Sequence, residues 1–134
     1  MQKVHAPISV GELWDKITIL QIKLQHVQQA AAAHNIQHEL YLLLQITQSH
    51  VNHDQIPDLV SQLTQVNLNI WHAEEQIRQL YVRNDFNADF CIQAQVILHN
   101  NDLRAHIKRR INEISQSLIC EEKIYAHMAH TGIS

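Results

Sequence analysis

Apolar residues near the start of the chain fall at Val10, Leu13, Ile17, Leu20, Leu24, Val27 and Ala31, in alternating steps of three and four. Such steps hold one stripe on one face of an α-helix, a heptad-like seam. Ile19 and Ile22 widen the stripe, so more than one partner helix is expected. Ser9, with Glu12 three residues on, reads as a capping box that starts this helix. Ala30 to Ala33 either continue it or end it. A second helix is expected from about Asn35 to His50, with Ile36, Leu40, Leu43, Leu44 and Val51 on its apolar face. Residues 52–57 form a break, and Pro57 suits a first helical turn because its missing N–H has no partner there anyway.

The third stretch is as regular as the first. Leu59, Leu63, Val66, Ile70, Ala73, Ile77 and Leu80 repeat in steps of four and three, up to a polar turn at Arg83–Asn87. A fourth stretch runs from Ala88 to about Leu118, as one helix or as two parted at Asn100-Asn101-Asp102. Its apolar positions include Phe90, Val96, Leu103, Ile107, Ile111, Ile114 and Leu118. The tail from Glu121 is expected to begin helical and to fray after Met128, with residues 1–8 and 129–134 as flexible ends. Long helices with short connections predict an all-α, antiparallel bundle of four to five helices, forming a single domain over 1–134. Seams this regular can also close between chains, so self-association as a dimer is expected.

Composition narrows the choice. Only two Gly and two Pro occur, too few turn residues for a sandwich or barrel. Gly11 and Gly132 sit in no phosphate-cradling motif, which excludes a Rossmann or P-loop site. The net charge of −3 gives no broad field toward nucleic acid or an anionic membrane. The longest apolar run, Leu40 to Leu44, is far short of the roughly twenty residues of a membrane span. No apolar run follows Lys3, so no signal peptide is expected and the chain reads as cytoplasmic. Cys91 and Cys120 lie 29 apart with no CxxC pairing. They read as helix-packing thiols, with a reduced chain or one disulfide both open.

The candidate chemistry lies in polar stripes. Asp15, Lys16 and Lys23 mark the first helix. Asn67, Trp71, Glu74 and Arg78 step along the third beside its seam. Asn101, Arg104, Lys108 and Asn112 line one face of the fourth, within a basic cluster completed by Arg109 and Arg110. If the helices face each other, Asp15, Lys16, Asn67, Trp71, Glu74, Asn101, Arg104, Lys108 and Asn112 form one polar cluster. Such a cluster either fixes helix register or forms a pocket in which Arg104 and Lys108 meet an anionic ligand. A phosphate backbone could also use the 104–110 cations, but no aromatic residue interleaves them, which disfavours nucleic acid. The histidine sets His34/His38, His99/Asp102/His106 and His127/His130 have helical spacing, yet no Cys–His or HExxH pattern accompanies them, and no metal or other cofactor is expected.

The stretch Gly11-Glu12-Leu13-Trp14-Asp15-Lys16-Ile17-Thr18-Ile19-Leu20-Gln21-Ile22-Lys23 resembles the opening of an uncharacterised family of small bacterial proteins. So do Asn67, Ile70-Trp71, Glu74 and Ile77-Arg78 in the middle. Asn101-Asp102-Leu103-Arg104, Lys108-Arg109-Arg110-Ile111-Asn112 and Glu121-Glu122-Lys123-Ile124-Tyr125 resemble its closing motifs. Trp14 stands where a Leu is expected and Gln21 where an acidic residue is expected. The resemblance implies a short helical domain and a context in lipopolysaccharide or other surface-glycan synthesis; it implies no activity and no catalytic residues. The leading reading is a non-catalytic interaction or assembly protein, with a glycan-synthesis enzyme as an expected partner. The alternatives are a small enzyme or ligand-binding domain using Arg104 and Lys108, and a nucleic-acid binder using 104–110.

Overall fold

The computed structural model of the chain describes residues 1–49 and 53–125. Among them are four helices and no strand: α1 (Val10–His26), α2 (Ala30–Gln48), α3 (Ile56–Val82) and α4 (Ala88–Ile114). Ser9 caps α1, its Oγ accepting from the Glu12 amide at 3.0 Å. The other half of the expected capping box does not form, because Glu12 turns to Lys108 instead, 2.5 Å away. The alanine run neither extends nor closes α1. It opens α2, which therefore starts five residues before Asn35. The expected end of that helix at His50, and Val51 on its face, lie outside the described residues.

Two left-handed residues end the long helices. Asn84 (φ 57°) follows α3 and Gln116 (φ 53°) follows α4. In each case the next amide reaches back to a carbonyl five residues earlier, Asp85 to Leu80 and Ser117 to Asn112, both at 2.9 Å. These are Schellman closures, which satisfy carbonyls the helix leaves unpaired. The second one stops α4 at Ile114, four residues short of the expected Leu118, and Leu118 is fully exposed. Asn100 does not break α4. Its Nδ2 donates to the Val96 carbonyl one turn back at 2.8 Å, and its Oδ1 accepts from Asn69 of α3 at 3.1 Å. A residue that competes with helix geometry elsewhere here ties two helices together. Residues 121–125 are not helical, against expectation.

The core matches the seams over part of their length. Leu13, Ile17, Leu20 and Ile22 of α1 are buried, as are Leu59, Leu63, Val66, Ile70 and Ala73 of α3 and Ile111 of α4. Ile56, Leu59, Leu63 and Ile111 form its centre, with Trp14, Val60, Ile107 and Ile114 packed around them. Further along, Ile77 and Leu80 are only half-buried and Leu103 is exposed. Length explains this: α3 and α4 are each about 40 Å long and α1 only about 26 Å, so the far end of the α3–α4 pair outruns its cover. Partners across that pair run in opposite numerical order: Gln55 meets Arg110, and Asn69 meets Asn100. Among the described residues, α2 packs on α1 alone of the helices and has no buried residue. No helix among the described residues is long and apolar enough to cross a membrane.

Candidate functional site

Glycine places the site. A Cβ at residue 11 would stand 2.5 Å from the Lys108 carbonyl oxygen and 2.9 Å from Asn112 Oδ1. Only glycine lets α1 approach the α4 backbone this closely. The Gly11 amide, one of the unpaired donors of the first helical turn, donates to Asn112 Oδ1 at 2.7 Å. The Val10 amide donates to Ser117 Oγ at 3.1 Å. Ser9, buried at the cap, donates its hydroxyl to Glu121 Oε1 at 2.5 Å, and Asn112 Nδ2 donates to Glu121 Oε2 at 3.4 Å. Burial by itself would push the Glu121 carboxyl up. The Ser9 bond, its own backbone amide, the Lys108 charge and the Asn112 bond outweigh that and hold it below its ordinary value.

One turn along α1 lies Asp15, 1% exposed. Arg104 of α4 grips it with two bonds, Nε to Oδ1 at 2.8 Å and Nη2 to Oδ2 at 2.5 Å. Asn67 of α3 adds a third, Nδ2 to Oδ1 at 3.0 Å, and the same nitrogen donates to Thr18 Oγ1 at 3.0 Å. Thr18 in turn donates to the Asp15 carbonyl at 2.8 Å. Three helices thus meet on one carboxylate. A charge this deep is tolerable only with such a full set of donors. The bond to Asp15 lifts the Arg104 guanidinium above its ordinary pKa against the opposing effect of burial. Lys108 pairs with Glu12 at 2.5 Å and stands 4.0 Å from Asp15.

The expected cluster therefore assembles in part. Asp15, Asn67, Arg104 and Lys108 converge, with Asn101 at the edge of Arg104 and Asn112 holding the start of α1. Lys16 does not join; it is exposed and lies 3.7 Å from Glu12. Trp71 sends its Nε1 to Glu75 at 3.1 Å and rests against the His26 ring at 4.9 Å. The rest of the basic cluster is paired: Arg109 with Glu113 and Glu122, Arg110 with Glu113. Four contributors escaped the spacing argument. Thr18 and Ser117 looked like ordinary helix residues, and Glu121 with Lys123 lay in a tail expected to be helical. Lys123 bonds Asp102 at 2.9 Å, and Tyr125 bonds the same carboxylate at 3.1 Å, so this segment straps across α4. Gly11, a glycine inside a helix that would do better with alanine, carried a signal of its own, and Glu121–Tyr125 stood out only as a motif of the resemblance.

Among the described residues no group of three or more His, Cys, Asp or Glu side chains is placed to hold a metal ion. His34, His38, His99 and His106 are exposed, and Asp102 is committed to the strap; His127 and His130 lie outside the described residues. Cys91 and Cys120 are exposed free thiols, so neither packs the core as expected. Two hollows flank Arg104. One of about 230 Å³ is lined by Asn101, Arg104, Ala105, Lys108 and Lys123. The other, about 180 Å³, lies between α1 and α3 over Asn67, Trp71 and the second side of Arg104. A family model described as "Family of unknown function (DUF6165)" matches residues 3–133. No curated protein and no solved structure matches the chain.

Proposed function

The chain belongs to this family of unknown function, and from its own residues we propose that it is a non-catalytic helical assembly protein that works as a dimer. The observation that carries the proposal is the open face of α2. Among the described residues this helix touches no helix but α1, has no buried residue, and leaves Tyr41, Leu44 and Ile46 exposed, Tyr41 at 59%. The opposite order of partners along α3 and α4 supports an antiparallel bundle, and α2 is the member of it that lacks a second neighbour.

The polar cluster fits this reading as the element that fixes the bundle. Arg104 and Lys108, the cations that an anionic ligand would need, already face Asp15 and Glu12. Arg109 and Arg110 likewise face carboxylates, which leaves little for a phosphate backbone. The setting proposed for the assembly is cytoplasmic, beside enzymes of surface-glycan synthesis; it rests on the resemblance of the motifs alone. Sedimentation equilibrium tests the dimer. The chain should sediment at twice its mass at micromolar concentration, and Leu44→Glu with Ile46→Glu should give a monomer with unchanged helix content. A wild-type chain that stays monomeric at about 100 μM, where a contact of even −5.5 kcal/mol would show, would remove the proposal.

A further inference from the structure

The geometry points to the 180 Å³ hollow between α1 and α3 as a binding site for a small apolar zwitterion, of the size and charge pattern of a free aliphatic amino acid. Its floor holds an unusual atom. Asn67 is 5% exposed, and its orientation is fixed because both partners of Nδ2 can only accept: the Asp15 carboxylate by its chemistry, and Thr18 Oγ1 because its proton goes to the Asp15 carbonyl. The amide carbonyl Oδ1 is then left pointing away from them, with no hydrogen bond among the described residues. Among the described residues no buried side-chain polar atom lacks a partner, so Oδ1 is not sealed in; it faces the hollow that Asn67 lines. A nearly buried acceptor that the fold has not used is a place for a donor from outside.

The rim offers the complementary charges. Lys23 of α1 and Glu74 of α3 stand at the same hollow, both exposed, and neither has a hydrogen bond or close ion pair among the described residues, although the Glu74 charge is felt by Arg104. Arg104 lines it with a guanidinium whose inner edge is spent on Asp15 and whose Nη1 also reaches Asn101 Oδ1 at 3.5 Å. Between them lie Ile19, Ile22, Ile70 and the Trp71 ring. A ligand ammonium would bridge Asn67 Oδ1 and Glu74, a ligand carboxylate would meet Lys23 and the outer edge of Arg104, and an aliphatic body would cover the isoleucines. The volume equals about six water molecules of liquid, which admits one such molecule and excludes a nucleotide. The neighbouring 230 Å³ hollow carries no such case, since its Lys108 and Lys123 each already hold a carboxylate and no carboxylate lines it to meet an ammonium. This site is independent of dimerisation.

The probe is L-leucine, followed by ¹H–¹⁵N correlation spectra of the full chain. Only two tryptophans are present, so the indole signal of Trp71 reports the site and that of Trp14 serves as an internal control. Leucine should shift the Trp71 indole and the Asn67 side-chain amide saturably in the millimolar range, leaving Trp14 in place. 4-Methylpentanoate, which lacks the ammonium, and isoamylamine, which lacks the carboxylate, should each bind at least about tenfold more weakly. Lys23→Met and Glu74→Gln should each cost about the same factor; both residues are exposed, so the remaining spectrum should be unchanged. Absence of saturable shifts up to about 50 mM leucine would overturn the assignment. So would equal binding of 4-methylpentanoate or isoamylamine, or shifts at Trp14 as large as those at Trp71.

Discussion

Removing Arg104 tests whether the buried carboxylate holds the helices in register. In Arg104→Met the apolar stem is largely kept, while Asp15 loses two of its three hydrogen bonds. What remains is Asn67 and a lysine at 4.0 Å. At 1% exposure Asp15 cannot turn to water, so the variant carries a nearly bare buried charge. Breaking such a pair costs about 3–5 kcal/mol. Arg104 retains 29% of its own exposure, which places the figure at the lower end, about 3 kcal/mol. For 134 residues the unfolding entropy near the midpoint is about 0.28 kcal/mol/K, so Tm should fall by roughly 10 °C. The reverse variant, Asp15→Asn, should cost less, about 1–2 kcal/mol, because the guanidinium it orphans can hydrate. The double variant should lose less than the two added together, by about 1–2 kcal/mol. Urea unfolding followed by far-ultraviolet circular dichroism gives all three values. A loss under about 0.5 kcal/mol for Arg104→Met would equate the pair with an exposed surface bridge and end the argument. A larger loss for Asp15→Asn than for Arg104→Met would do the same.

Three further outcomes follow from other contacts. Gly11→Ala should destabilise by about 2 kcal/mol in the same urea assay, because the new methyl meets α4 backbone at 2.5 Å; an unopposed gain in helix propensity, near 1 kcal/mol, would show that α1 and α4 are not this close. Glu121 carries a pH dependence. Its folded carboxyl lies below the ordinary 4.5, so its contribution is fully present above that value and fades as pH falls through the folded pKa. Glu121→Gln should therefore melt below the wild type at pH 7, by a gap that narrows as pH falls below 4.5; a gap that is constant with pH would mean the carboxylate charge plays no part. Ile70→Asp, at a position 8% exposed on the α3 seam, should cost about 4 kcal/mol or more and leave little folded chain, whereas a stable, unaltered assembly would refute the seam.

The seams were legible because burial acts on every third or fourth residue, and Leu13, Ile17, Leu59, Leu63 and Ile111 all lie where the periodicity puts them. Polar spacing alone also found Asp15, Asn67, Arg104 and Lys108. What it could not supply was the partner of each, since stripes on three helices allow many pairings and only packing chooses among them. Asn100 shows the limit from the other side. Its sequence neighbourhood reads as a break, and the helix survives because a residue of another helix, Asn69, takes up its carbonyl oxygen. The strap was missed for a related reason. Glu121 and Lys123 gain their role from Ser9 and Asp102, and no local pattern announces a contact 112 residues apart.

The two readings of the polar cluster, register or ligand, are compatible in this geometry. Arg104 has two edges. The inner one is locked on Asp15, and that lock removes most of the freedom of a long side chain. A ligand meeting the outer edge would therefore find it already placed, with little ordering cost left to meet. The same holds for Asn67, whose amide nitrogen is consumed by the network and whose oxygen is oriented by it. Loosening the inner lock should then weaken the pocket even where no pocket residue changes. Asp15→Asn, which lies outside the hollow and leaves Arg104 and Asn67 in the sequence, makes that separable: if it folds at 15 °C and still binds leucine as the wild type does, the network serves register alone. A weaker affinity with intact helix content would tie the two together.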